Sequence, residues 1–329
     1  MTEVENGKHK TINKETILSL LSKERDIKYL IDKTGLKDYE LLGLLDQLRL
    51  EGNSIETYIE NNIVKVRYFP NFERKEHNKY ELYDGRLKKI KFAFVSDTHL
   101  ASKSDQVSIL HRLYDEFQDR KIKTILHCGD ISDGYYKKKR DAHIYELRCV
   151  GADEQADYII KNYPKRDGIK TFFITGNHDA THVQNGGSNI GKAIAKERDD
   201  MIYMGQDYAE FVINKCKILI QHPGGGSSYA RSYKLQKFID AMHGGDKPHI
   251  YAQGHYHKSF YMLYRNIHAF SVPSVQGPTP FTVAQGLGND MGAWIVEAKV
   301  DSNGNIINLI PELIPIYETE EKRKLKILK

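Results

Sequence analysis

The chain of 329 residues is 40% hydrophobic and 28% charged, the balance of a globular protein, and its length favours one large domain with a smaller companion. A net charge of +5 is compatible with a polyanionic ligand without requiring one, and three widely spaced cysteines (Cys128, Cys149 and Cys216) argue against a disulfide framework and for a reducing compartment. With no apolar core in MTEVENGKHK and no apolar run near the roughly 18–20 residues that span a bilayer, neither a secretory signal nor a membrane partner is expected, and a cytoplasmic protein is.

From Lys14 to Gly52 apolar residues recur at helical spacing. ETILSLLSKE places Ile17, Leu18, Leu20 and Leu21 on one face, DIKYLIDKTGL predicts a second helix closed by Gly35, and KDYELLGLLDQLRLEG a third closed by Gly52. SIETYIENNIVKVRYF predicts two short strands around a turn at Asn61–Asn62. Three short helices followed by a hairpin resemble a winged helix-turn-helix module. Residues 1–86 are assigned to this module and to the linker after it, PNFERKEHNKYELYDGRLKK, which is rich in charge and aromatic residues.

Residues 87–329 have a different texture. KIKFAFVS, KTILHCGD, IKTFFITGN, CKILIQHP and PHIYAQGH are short apolar runs, and helix-like segments (VSILHRLYDEFQDR, ADEQADYIIKNY, YKLQKFIDAMHGG) separate several of them. Such alternation predicts an α/β layered domain with buried strands. SFYMLYRNIHAFSVPS and GAWIVEAKVDSNGNIINLIPELIPIY predict a later group of strands with a turn at Asn303–Gly304, and EEKRKLKILK reads as a basic, solvated tail.

The chemistry is concentrated where the apolar runs stop. The first stops at Asp97-Thr98-His99, the second at Gly129-Asp130, the third at Gly176-Asn177-His178-Asp179, the fourth at His222 and the fifth at Gly254-His255-Tyr256-His257. In α/β sheets ligands bind beyond the carboxyl ends of the strands, so these five ends converge on one pocket. Carboxylate oxygens and imidazole nitrogens together suit divalent first-row metals.

These motifs, in this order, resemble the calcineurin-like metallophosphoesterase superfamily over about Lys91 to Pro273. The resemblance implies a four-layer α/β/β/α sandwich carrying a dinuclear centre. Asp97, His99 and His257 would hold the first metal, Asn177, His222 and His255 the second, and Asp130 would bridge them. His178 would face substrate without binding metal, with Asp179 orienting its ring. Two divalent ions are implied, manganese from what the family accepts, with iron or zinc suiting the same mixed donors. Two such cations about 3.5–4 Å apart can activate a bridging water for attack on phosphorus.

The ester is less directly written. The run Gly129-Asp130-Ile131-Ser132-Asp133-Gly134-Tyr135-Tyr136, followed by Gly176-Asn177-His178-Asp179-Ala180, resembles the exonuclease (small) subunit of archaeal D-family DNA polymerases and, more loosely, SbcD-like nucleases. That resemblance implies a nucleic-acid phosphodiesterase. The N-terminal module departs from it, since the polymerase subunit carries an oligonucleotide-binding barrel there. Lys137, Lys138 and Arg140 are candidates for phosphate contact, and Tyr135 and Tyr136 for stacking on bases. Against a DNA-reading role for the N-terminal module, residues 1–80 hold 14 basic and 14 acidic side chains, and the third helix carries Asp38, Glu40 and Asp46. It is equally a candidate for protein contact or self-association. A phosphomonoesterase and a cyclic-nucleotide phosphodiesterase share the same metal chemistry; a scaffold with a dead site is disfavoured because no ligand position is substituted.

Overall fold

A computed structural model describes residues 14–21, 23–51, 53, 55–60, 63–68, 79–82, 89–136, 143–226, 228–242, 247–317 and 319. The chain divides into two compact units, Met1–Lys75 and Glu76–Lys329. In the first, helix α1 (Lys14–Leu20) precedes a two-residue strand β1 (Arg25–Asp26), helices α2 (Ile27–Thr34) and α3 (Asp38–Leu50), and strands β2 (Ile55–Glu60) and β3 (Ile63–Tyr68). The strands form an antiparallel sheet in the order β1-β3-β2. Gly35 ends α2 in the left-handed conformation (φ 72°), and its N–H reaches Ile31 O at 2.7 Å, an arrangement that glycine adopts without a Cβ penalty. Ile17, Leu21, Leu30, Leu41, Leu45 and Val66 make a small core of its own. The predicted Asn61–Asn62 turn and Gly52 lie outside the described residues. Strand β1 was not legible, being only two residues long.

The second unit opens with strand β4 (Lys79–Leu82), inside the segment expected to be a linker. It pairs in parallel with a later strand, so the linker assignment is corrected there: those residues are a sheet edge of the larger unit. The elements that follow are β5 (Lys89–Val95), α4 (Val107–Asp119), β6 (Thr124–His127), α5 (His143–Glu146), α6 (Ala152–Asn162), β7 (Lys170–Thr175), α7 (Asn177–Gln184), α8 (Ile190–Glu197), β8 (Met201–Gln206), β9 (Tyr208–Ile213), β10 (Cys216–Gln221), α9 (Tyr233–Asp240), β11 (Ile250–Gln253), β12 (Phe260–Tyr264), β13 (Ile267–Ser271), α10 (Pro280–Ala284), β14 (Gly292–Val300) and β15 (Ile306–Pro315). No described helix is long and apolar enough to cross a membrane.

These strands build two six-stranded mixed sheets, in the orders β15-β14-β5-β6-β7-β8 and β12-β13-β11-β10-β9-β4. Alternation along β5 explains the layering. Phe92 and Phe94 face the other sheet, with Leu126, Phe211, Ile218 and Phe270 in the same core, while Ala93 and Val95 face helices α4, α6 and α8. Helix α9 covers the outer face of the second sheet through Leu235 and Ile239. The result is the four-layer α/β/β/α sandwich. The late strands, expected as one group, are shared out: β12 and β13 join one sheet, β14 and β15 the other. Asp207 (φ 66°) carries the chain from the edge of one sheet to the other, and its backbone binds Thr175 O (2.8 Å) and His222 N (2.6 Å), tying together two of the strand ends that carry chemistry.

The ring of Phe94 lies 5.2 Å from that of Phe92 and 5.3 Å from that of Phe270, in the layer between the sheets. Phe94→Ala should cost about 3–5 kcal/mol of stability, the range for emptying a buried aromatic site. Chemical denaturation of the purified chain measures it.

Candidate metal centre

Strands β5, β6, β7, β10 and β11 deliver their carboxyl ends to one cavity of about 700 Å³. The turns that follow them are sharp. Asp97 (φ 51°), His99 (43°), Asp130 (51°), His255 (75°) and His257 (50°) all occupy the left-handed region, which costs a side-chain-bearing residue about 1–2 kcal/mol. Such strain gathers at functional sites, held by the structure around it. Two glycines make the approach possible. A Cβ on Gly129, itself at φ 95°, would lie 2.5 Å from the His222 ring, and one on Gly254 would lie 2.2 Å from Ser96 Oγ and 2.9 Å from Asp97 Oδ2.

All seven predicted ligands come together. His257 Nε2 lies 3.2 Å from Asp97 Oδ1 and 3.3 Å from His99 Nε2. His222 Nε2 lies 3.0 Å from Asp130 Oδ2 and 3.1 Å from Asn177 Oδ1. Asp130, His222 and His255 offer atoms within 4.8 Å of one another, as do Asp97, His99 and His257. Asp130 Oδ2 is also 4.0 Å from His99 Nε2, so this carboxylate stands between the two groups. Its other oxygen is fixed by the first turn of α7, where His178 N donates to Oδ1 at 2.8 Å.

The hydrogen bonds behind the ligands decide what the site can hold. His222 Nδ1–H donates to Cys128 O (2.7 Å), His255 Nε2–H to Gly225 O (2.7 Å) and His257 Nδ1–H to Asn289 Oδ1 (3.1 Å). Asn289 is itself oriented by its amide donating to Gln276 O, and Asn177 by its amide donating to Tyr136 Oη, both at 2.7 Å. In the neutral rings of His222 and His257 the remaining nitrogen is a lone pair aimed at carboxylate or amide oxygens that are also acceptors. Such a set of buried acceptors is relieved only by protons or cations. Burial opposes charge on the imidazoles, yet Asp133, Asp97 and Asp130 lift His99 to about 10 and Asp130 lifts His222 to about 9. Burial pushes the Asp97 carboxyl up, and the facing His257, His99 and His222 outweigh it, holding the group well below the usual carboxylate range. Burial, aided by His222, lowers His255 to about 4 and keeps it neutral. The donors fit a divalent metal pair.

Two predicted roles change. Asp179 does not hold the His178 ring. As the third residue of α7 it turns back on the helix start, accepting from Gly176 N (2.9 Å), Ser132 N (2.8 Å) and Ser132 Oγ (2.6 Å), and so clips the loop after β6 to α7. Burial and the neighbouring Asp130 raise it to about 6. The His178 ring is held instead by Asp133, whose main-chain carbonyl accepts from Nδ1 at 2.7 Å. Of the stacking candidates, Tyr136 lines the cavity with its ring 4.9 Å from that of His178, whereas Tyr135 stacks on His143 and is not among the lining residues. Lys137, Lys138 and Arg140 lie outside the described residues.

Asp133 and His143 were missed by sequence reasoning. The buried Asp133 carboxylate lies 3.1 Å from His99 Nδ1, 3.1 Å from His143 Nε2 and 3.4 Å from Gln276 Nε2, so one side chain braces a metal-facing histidine and the loop that holds His178. The available signal was a second aspartate three residues after Asp130 in an otherwise uncharged run.

A family model, the calcineurin-like phosphoesterase superfamily domain, matches residues 90–284. No curated protein matches the chain. Among solved structures, a protein described as a novel archaeal phosphodiesterase is 13% identical (TM-score 0.38), covering 68% of this chain and all of its own. A predicted phosphoesterase of Streptococcus pneumoniae TIGR4 is 14% identical (TM-score 0.34), with 69% of this chain and 98% of its own covered. The zinc-complexed Vps29 of Entamoeba histolytica is 12% identical (TM-score 0.36), at 69% and 99%.

Two outcomes check the centre. Asp133→Ala should weaken metal affinity about 10–100-fold, the usual effect of removing a partner that orients a ligand; competition against a metal-sensitive dye reads it. Manganese added to chelated protein should raise the melting temperature, with about 4 kcal/mol of stabilisation at a thousandfold excess over the dissociation constant.

Proposed function

The chain belongs to the calcineurin-like phosphoesterase superfamily and is a metal-dependent phosphoester hydrolase; within that class, we propose that it is a nucleic-acid phosphodiesterase, a nuclease of the exonuclease kind. The reading rests above all on the inward-facing donors of Asp97, Asp130, Asn177 and the histidines, gathered at the strand ends beside one cavity. Asp97, His99 and His257 would hold one cation, Asn177, His222 and His255 the other, and Asp130 would serve both. Manganese is the ion we assign, with iron and zinc suited to the same donors. Bound there, the pair supplies a polarised water and charge neutralisation at phosphorus.

The chain's own groups do the remainder. His178 commits Nδ1–H to the Asp133 carbonyl, which leaves Nε2 for substrate at the cavity it lines. From that nitrogen it would hand a hydrogen bond or a proton to the leaving oxygen of the ester. Tyr136 holds Asn177 and presents its ring edge beside His178, and Phe281 and Leu287 form an apolar wall on which a leaving nucleoside can rest. A nucleic-acid diester is favoured by this wall and by the resemblance of residues 129–136 and 176–180 to the D-family exonuclease subunit. The N-terminal unit, which we read as winged-helix-like, fits protein contact or self-association better than phosphate tracking: α3 carries Asp38, Glu40 and Asp46, and Tyr39 and Leu42 on it are 67% and 42% exposed. We place the protein in the cytoplasm, where its three free cysteines stay reduced.

Asp130→Asn should lose nearly all hydrolysis together with bound metal, and His178→Ala should lose turnover while metal content stays at the wild-type level. Metal analysis run beside kinetics separates the two, and full activity in either variant removes the assignment. With manganese present, labelled single- and double-stranded DNA and RNA should be cut, and bis(p-nitrophenyl) phosphate should be preferred to p-nitrophenyl phosphate. A preference for the monoester by orders of magnitude would make the protein a phosphomonoesterase instead.

A further inference from the structure

At the opposite end of the same strands lies a second hollow, of about 580 Å³. Its lining includes Lys89, Lys91, Lys121, Lys123 and Lys299, with Glu297 as the one carboxylate among the described residues. Glu297 is taken by Lys91, with their charged atoms 2.5 Å apart. Among the described residues the ammonium groups of Lys89, Lys121, Lys123 and Lys299 have no ion-pair partner. The hydroxyl of Thr124 and the amide of Asn308, on the same lining, are likewise without a hydrogen bond among the described residues. Ile90, Ile213 and Ala298 supply an apolar floor, and Ile310 stands 57% exposed at its side.

The placement follows from the topology. Lys89 and Lys91 open β5, Lys121 and Lys123 precede β6, and Lys299 ends the antiparallel β14, so three neighbouring strands bring their cationic ends together. Helix α4 stops at Asp119, short of the lysines at this end of the sheet. Asp97 is eight residues along from Lys89, about 25 Å away at strand rise, so the hollow is separate from the metal centre.

Four cations with no ion-pair partner among the described residues, set around one concave site, make a strong attraction for a compact, multiply charged anion, with lysine acting as a point charge on phosphate. The volume falls in the range of small-ligand sites, roughly 300–1,000 Å³, and the apolar floor gives room for a base that inorganic phosphate lacks. We propose that this hollow binds a nucleoside polyphosphate. A nucleic-acid backbone fits less well, because the lysines ring a single hollow instead of lining a stripe.

The test is titration of the full chain with a fluorescent ATP analogue in EDTA, which keeps metal from supporting binding at the catalytic end. Unlabelled ATP should displace the probe, adenosine should not, and inorganic tripolyphosphate should do so more weakly than ATP. Lys121→Gln/Lys123→Gln/Lys299→Gln should weaken binding at least tenfold with an unchanged circular dichroism spectrum, while Asp130→Asn should bind as the wild type does. The proposal falls if the wild type does not bind, if the triple variant binds equally well, or if Asp130→Asn abolishes binding. Tripolyphosphate competing as well as ATP would remove the nucleoside, and a DNA oligonucleotide displacing the probe at lower concentration than ATP would give the hollow to nucleic acid.

Discussion

Two buried carboxylates, Asp97 and Asp130, confront imidazole rings that are each anchored from behind by a hydrogen bond. Cys128 O, Gly225 O and Asn289 Oδ1 each take the hydrogen of one ring, so His222, His255 and His257 turn the other nitrogen inward, where a cation or a proton must meet it. Left alone, such an arrangement is costly, since buried acceptors without donors lose their solvation and gain nothing. The sandwich persists in this geometry because two packed sheets fix the strand ends, and five left-handed turns at Asp97, His99, Asp130, His255 and His257 have no room to relax. The core beneath and the cations expected above are parts of one constraint.

The next layer outward explains how that constraint is transmitted. Asp133 touches His99 through its carboxylate and His178 through its carbonyl, so a shift of one loop moves both the metal face and the substrate face. Asp179 clips the same loop to α7 by three acceptor contacts, and α7 in return fixes Asp130 through His178 N. Residues in α7 thus divide into three tasks in the function we propose: Asn177 would face the metals and His178 the substrate, while Asp179 holds the frame.

The strands also polarise the molecule. Their carboxyl ends gather acceptors, whereas the opening ends of β5 and β6 and the end of the antiparallel β14 gather lysines. The parallel run β5-β6-β7 makes this separation possible, because each of these strands presents its carboxyl end on the same side, and the antiparallel β14 adds its closing end to their opening ends. Attraction for anions would therefore arise at both poles, through bound metal at one and through ammonium groups at the other.

Much of this was legible in order and type. Apolar runs of four to seven residues, each stopping at Asp, Asn or His, specify buried strands and a metal-facing rim, because period and punctuation are local properties of the chain. The layered α/β class and the metal-suited rim were read on that basis, and the resemblance to the metallophosphoesterases then assigned the seven donors. What the sequence could not decide were contacts between segments far apart: β4 pairing with β9 inside an apparent linker, β12–β13 and β14–β15 parting to different sheets, and Asp133 replacing Asp179 at the His178 ring. A carboxylate next to a histidine in sequence is not next to its ring in space once both begin a helix, whose turn sends successive side chains in different directions. Local chemistry named the ligands; the three-dimensional packing chose which neighbour holds each of them in place.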